Sequence, residues 1–273
     1  MKKTILLRFL FVLTCFFFSV CGCPGYSFAE HREGPSISFT FDDGFVGSYT
    51  YAAPVLARYG FSATMYVVTS VVGRSGYLGY LTWDDVRKMQ SEGWEIGSHS
   101  HTHAHLPDLS PNMIDQELRI SAETLREHEI DAVSLAVPFG EYNETVLDIA
   151  RRYYKSSRLA WDDWHDYPIT GRQGRNVIPL VDPFRVSAVT VRSTMTVEEV
   201  VQMIDEAIEK KRWLVLLFHD LVSEKDIENE GGLGQYDYSA EKFERIVGHI
   251  AALKEKGVLS VLPVRDAVRV YRR

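Results

Sequence analysis

Two adjacent carboxylates and a run of alternating histidines are the residues in this chain best able to do chemistry together. Asp42 and Asp43 stand directly before Gly44, at the end of Ser36-Ile-Ser-Phe-Thr-Phe41, whose alternation of small polar and apolar residues suits a β-strand. Successive side chains diverge, so one carboxylate can bind a metal while its neighbour stays available as a base. Taken alone, the pair also reads as an Asp-Gly turn that simply ends a strand. The segment Gly97-Ser-His-Ser-His-Thr-His-Ala-His-Leu106 holds four of the nine histidines. Extended, it would put all four on one face; coiled, it brings His99 and His103 together one turn apart. With Asp43 as a third ligand, a His/His/Asp set leaves a position open for water, as catalytic zinc sites do. His101 and His105 share the four-residue spacing, so spacing alone does not choose between the pairs. His219-Asp220 follows the apolar run Trp213–Phe218, whose packing would fix the His219 ring. With a carboxylate partner, for which Asp162 and Asp163 are candidates, His219 could serve as a general acid; otherwise it is a satisfied core or turn residue.

The elements that must hold these groups alternate between strand and helix. Strands are expected at Phe61–Val68, Trp94–Ser98, Ala132–Val137, Ser157–Trp161, Arg185–Val191, Trp213–Phe218 and Val258–Val264. Helices are expected at Tyr51–Tyr59, from the cap Thr82 with Asp85 to Glu92, from Ser110-Pro111 onward, at Asn143–Tyr154, from the capping box Thr196 with Glu199, and at Ser239–Lys256. Runs such as Leu214 to Phe218, apolar on both faces, imply a mostly parallel sheet covered by helices. Seven or eight such units fit a closed or nearly closed barrel better than the open doubly wound alternative. Asp42-Asp43, His99, Pro138-Phe139-Gly140, Asp162-Asp163-Trp164 and His219-Asp220 each follow a strand, so five strands would aim candidate residues at one mouth.

Composition narrows the partners. A formal charge of −7 and an isoelectric point near 5.7 argue against a nucleic-acid surface, which needs clustered Lys and Arg. Residues 1–29 read as an export leader: Lys2, Lys3 and Arg8, the apolar run from Phe9 to Val20, then the small-x-small site Ser27-Phe28-Ala29. Loss of those three basic residues would take the charge from −7 to −10. A periplasmic, cell-envelope or extracellular location is expected, with one domain over residues 30–273. Membrane attachment would come only through an uncleaved leader or a lipid at Cys23. Cys15, Cys21 and Cys23 all lie in the leader, so a chain cleaved after Ala29 has no disulfide and no thiol nucleophile.

These motifs, taken together, resemble the polysaccharide deacetylase family, the NodB-type carbohydrate esterases, over about residues 36–267. Thr40-Phe-Asp-Asp-Gly44 resembles a first motif of base and metal ligand, His99-Ser-His-Thr-His103 a second that supplies two metal histidines, and Leu217-Phe-His219 a last one with an acetyl-pocket leucine and a general acid. Leu135-Ala-Val-Pro-Phe-Gly140 looks like the poly-N-acetylglucosamine deacetylase branch, with Ala136 where the family usually has an arginine that contacts the catalytic Asp. Arg185, at a possible strand start, is the candidate to supply that charge. Asp162-Asp163-Trp164 resembles the fourth motif.

The resemblance implies a distorted (β/α) barrel of about seven parallel strands. It implies removal of N-acetyl groups from an amino-sugar polymer, with Asp42 as base and Asp43, His99 and His103 on a divalent metal. Zinc is the first expectation; Co, Ni or Mn suit the same ligands. His219 would be the general acid and the Phe139 N–H, beside Pro138, an oxyanion donor, while Leu217 and Trp164 would line the substrate side. Trp161, Tyr142 and Tyr80 are further aromatics that could stack on sugars or lie in the core. The loops Gly73–Tyr80 and Ser223–Asp237 would shape substrate choice. An O-acetyl esterase acting on xylan would use the same residues, and a silent glycan-binding module is the rival from another class.

Overall fold

The structure is a computed structural model that describes residues 34–74, 76, 79–161, 175–230 and 232–272. Its centre is a barrel of seven parallel strands: β1 (Ser36–Phe41), β2 (Thr64–Val67), β3 (Glu95–Ser98), β4 (Ser134–Ala136), β5 (Ser156–Trp161), β7 (Val186–Thr190) and β8 (Trp213–Phe218), where β6 (Arg175–Asn176) is a short antiparallel strand outside the ring. The ring closes through β1 and β8, paired at six positions from Ser36 with Trp213 to Phe41 with Phe218. The expected barrel is thus the observed one, and the open sheet is not. β9 (Leu221–Val222) and β10 (Tyr238–Ser239) form a separate parallel pair, and β11 (Ser260–Val261) joins the flank of β1. That flank is shared: β11 pairs with Ser36 and Ile37, and β2 with Thr40 and Phe41.

Helices cover the outside: α1 (Ala53–Arg58), α2 (Trp83–Ser91), α3 (Pro111–Glu127), α4 (Glu144–Tyr153), α5 (Val197–Glu209), α6 (Glu224–Glu230), α7 (Ala240–Glu255) and α8 (Val264–Tyr271). The capping signals mark their starts. Thr82 with Asp85 and Thr196 with Glu199 form reciprocal capping boxes, and the side chains of Ser110 and Asn143 accept from Met113 N–H and Val146 N–H. Strand alternation then sorts the side chains. Ile37, Phe39 and Phe41 enter the large apolar layer between barrel and helices, which leaves Ser36, Ser38, Thr40 and, next in the series, Asp42 for the inside.

Two expected elements differ. The last strand is only Ser260–Val261, and Val264–Tyr271 is a helix instead of the end of that strand. Pro263 removes a backbone donor at the boundary, and Val264, Ala267, Val268 and Tyr271 recur at helical spacing to bury one face. The stretch expected as a loop over Ser223–Asp237 contains α6. Among the flagged aromatics, Tyr80 stacks on Phe45 at 4.9 Å, and Tyr142 packs partly against the second apolar cluster. Asp162, Asp163 and Trp164, like the leader, lie outside the described residues, as does the Trp161 side chain.

Candidate active site

Each strand end delivers its side chain through a backbone device. Asp42 leaves β1 with its N–H donated to Phe218 O at 3.0 Å; Asp43 and Gly44 then turn the chain in left-handed conformations (φ 69° and 82°). His99 follows β3, its N–H bonded to Val67 O at 2.9 Å. The next turn is tight, with Ser100 and His103 at φ 64° and 61°, and Ser100 Oγ accepts from His103 N–H at 3.0 Å. Glu117, on α3, clamps this turn by accepting from His101 N–H, Thr102 N–H and the Thr102 hydroxyl at 3.2, 2.9 and 2.8 Å.

The result is a compact donor set. His99 Nδ1 lies 2.9 Å from Ala136 O, which assigns the proton to Nδ1 and leaves the Nε2 lone pair facing inward. That Nε2 is buried without a hydrogen-bond partner and lies 3.5 Å from Asp43 Oδ1, while His103 Nε2 lies 3.4 Å from the same oxygen. Such separations are long for hydrogen bonds. Two atoms each about 2.1 Å from one tetrahedral zinc would be roughly 3.4 Å apart. One donor atom from each of Asp43, His99 and His103 lies within 4.8 Å of the others, so the three fit a shared divalent cation. Burial lowers the pKa of His99 to about 3 and shifts His103 down too, keeping both imidazoles in the neutral, ligating form. Burial and the neighbouring Asp42 charge push Asp43 up to about 7, so this corner of the barrel is short of positive charge.

Asp42 has a different partner. The fully buried Arg158, on β5, donates through Nη2 to both of its oxygens, at 2.6 Å to Oδ1. Burial alone would push the Asp42 carboxyl up; the polar groups around it, the Arg158 guanidinium first among them, outweigh burial and hold the carboxyl below its ordinary range. The charge absent at Ala136 is therefore supplied from the next strand. Arg185 does not supply it. Its partly exposed guanidinium pairs with Glu144, lies 3.4 Å from Asp182 and donates to Tyr142 Oη at 3.3 Å, all on the outer surface. A strand-start position left Arg185 pointing outward, whereas Arg158 alternates into the barrel.

A cavity of about 410 Å³ opens above these groups and brings together Asp42, Asp43, His99, His103, Phe139, Leu217 and His219. The His219 ring packs against Tyr236 at 4.9 Å. Pro138 is buried, and Phe139 is held at φ 58° with an exposed ring that stacks flat on His105 at 3.9 Å and edge-on to His103 at 4.4 Å. His101 and His105 belong elsewhere: His101 Nδ1 meets the Thr69 hydroxyl at 3.0 Å and His105 Nδ1 meets Glu141 at 2.8 Å. Sequence reasoning missed Arg158 and Glu117. The available signal for Arg158 was a charged residue inside a strand that a covered barrel buries.

Residues 29–155 match the polysaccharide deacetylase family. The match covers just under half of the chain. Among curated relatives, the polysaccharide deacetylase-like protein YxkH of Bacillus subtilis (strain 168) is 30% identical over 118 residues, 42% of this chain and 41% of its own. A peptidoglycan-N-acetylglucosamine deacetylase from Bacillus cereus is 26% identical over 133 residues, 48% of this chain and 58% of that protein. The chain thus matches less than two thirds of either relative's length. Solved structures share the fold. A family 4 carbohydrate esterase from Streptomyces lividans, in complex with acetate, superposes with a TM-score of 0.52 at 19% identity over 84% of this chain and 91% of that one. A Streptococcus pyogenes deacetylase, PplD, gives 0.51 at 24% over 60% and 68%.

Proposed function

We propose that this protein is a metal-dependent hydrolase that removes N-acetyl groups from an amino-sugar polysaccharide, such as poly-N-acetylglucosamine, a chitin-like chain or the glycan of peptidoglycan. The observation that carries the reading is a division of labour: Asp43, His99 and His103 converge on one point, while Asp42 beside them is committed to Arg158 and stays ionised. A divalent cation held by those three residues, zinc by first expectation, would polarise the acetyl carbonyl and acidify the attacking water. Asp42 takes the proton from that water as its oxygen bonds to the carbonyl carbon. The N–H of Phe139, in a turn fixed by the buried Pro138, is the candidate donor to the developing oxyanion. His219, facing the same cavity, gives a proton to the amide nitrogen as the C–N bond breaks, leaving acetate and a free amine. Leu217 and the exposed Phe139 ring offer apolar surface to the acetyl group and the sugar.

The test is acetate release by residues 30–273 from N-acetylglucosamine oligomers and from acetylated xylan, with chelator and with restored zinc. Cation-dependent release from the amino sugar is expected; release from xylan alone would replace this reading with an O-acetyl esterase. We also propose export, with cleavage after Ala29, which N-terminal sequencing of the mature protein would check.

A further inference from the structure

We propose that Tyr66 is a positioning residue that holds the Arg158 guanidinium against Asp42 through the face of its ring. The inference rests on reading Asp42 as the base, and it concerns a side chain that is fully buried and does not line the cavity. Arg158 reaches Asp42 through Nη2 alone, and its Nε and Nη1 have no hydrogen-bond partner among the described residues. A guanidinium tied at one nitrogen can swing about that tie, so another contact must fix its plane. Tyr66 provides one. Arg158 Cζ lies 5.2 Å from the Tyr66 ring centroid, within the range at which a desolvated cation is drawn to an aromatic face.

Room for that ring is built into the neighbouring strand. Gly97 is the register partner of Tyr66 on β3, and a Cβ there would fall 2.5 Å from Tyr66 Cδ1 and Cε1 and 2.8 Å from Ser134 Oγ. Gly97 is not among the residues with positive φ, so its backbone conformation does not require glycine. The ring does. β3 therefore gives up a side chain to seat Tyr66, Tyr66 seats Arg158, and Arg158 seats Asp42.

A double-mutant cycle on acetate release tests this, using wild type, Tyr66→Leu, Arg158→Met and the double variant, with bound zinc measured in each. Tyr66→Leu is expected to lower kcat roughly tenfold, with KM within about twofold and zinc content unchanged. Tyr66→Phe, which keeps the ring face, restores the rate. On the Arg158→Met background, Tyr66→Leu costs nothing further. If Tyr66→Leu does not fold, Gly97→Ala, which displaces the ring, takes its place in the same cycle. Equal losses with and without Arg158, or failure of Tyr66→Phe to restore the rate, would overturn the inference while leaving an active enzyme. A zinc-loaded wild type that releases no acetate would overturn the reading of Asp42 and this inference with it.

Discussion

At Asp42, two opposed influences meet on one carboxyl: burial, which favours the protonated form, and its polar surroundings, the Arg158 guanidinium first, which favour the charged one and prevail. Removing the guanidinium leaves the burial, so in Arg158→Met the carboxyl titrates at higher pH. With Asp42 as the proposed base, which must be deprotonated to act, the acid limb of the kcat/KM profile should move upward in that variant, with activity partly regained as pH rises. An unmoved limb would separate Arg158 from the base. The proposed metal ligands should behave differently. Asp42→Asn is expected to keep zinc and lose at least about a hundredfold in rate, as loss of a general base does, whereas His99→Ala loses both zinc and activity; a fully active Asp42→Asn would end the base assignment. At this scale the sequence was most readable where chemistry is local. Asp42, Asp43, His99 and His103 stand in short motifs whose spacing survives folding. Arg158 is 116 positions from Asp42, flanked by Ser157 and Leu159, and carries no local mark of the ion pair it makes across the barrel.

Elements reach the site through close approach of backbone. Gly140, after Phe139, is left-handed (φ 72°), and a Cβ there would lie 2.1 Å from Ala160 O on β5. Gly140→Ala therefore meets both a backbone penalty and a clash, and should cost about 2 kcal/mol or more in urea unfolding while lowering activity through the displaced Phe139 N–H. Unchanged stability would mean that this turn is looser than its contacts imply. Below the site, Glu95 ties four elements: its carboxylate accepts from the Thr64 hydroxyl at 2.8 Å, the Ser134 hydroxyl at 2.6 Å and Arg265 N–H at 2.6 Å, at the start of α8. Burial raises its pKa despite these bonds. The folded state thus holds the proton more tightly than the unfolded one, so Glu95's contribution is fully present below its ordinary value and is lost as pH rises through the raised one. Glu95→Gln, whose amide can face the same partners, should flatten that decline in unfolding free energy; an unchanged slope would show that Glu95 does not titrate there. The helix starts were legible because caps are local. α8 was not, because Val258 to Val264 is as apolar as a strand and only Pro263 and the helical spacing beyond it mark the change.

For the molecule as a whole, alternation of apolar runs with capped helices was enough to call a parallel barrel, since strands apolar on both faces need cover on both. What alternation cannot convey is the interior, where Ser36, Ser38, Thr40, Glu95 and Arg158 place buried polar groups beside the apolar Trp213, Val215 and Leu217. Closure of the ring sets the strand ends, and with them the distance between Asp43 after β1 and the histidines after β3, with β2 between. A cation shared by these three residues would bridge two strand ends that are not neighbours and exist as a site only in the folded chain. It must then stabilise the fold by mass action, by about 2.7 kcal/mol when free metal is a hundred times Kd. For a domain of this size that corresponds to a rise in melting temperature of roughly 5–10 °C. Thermal unfolding with zinc and with excess chelator should show this rise in wild type and in Asp42→Asn, which keeps all three ligands, and not in Asp43→Ala. A rise of the same size in Asp43→Ala would place the zinc elsewhere on the chain, and no rise in wild type would remove the cation from the mechanism altogether.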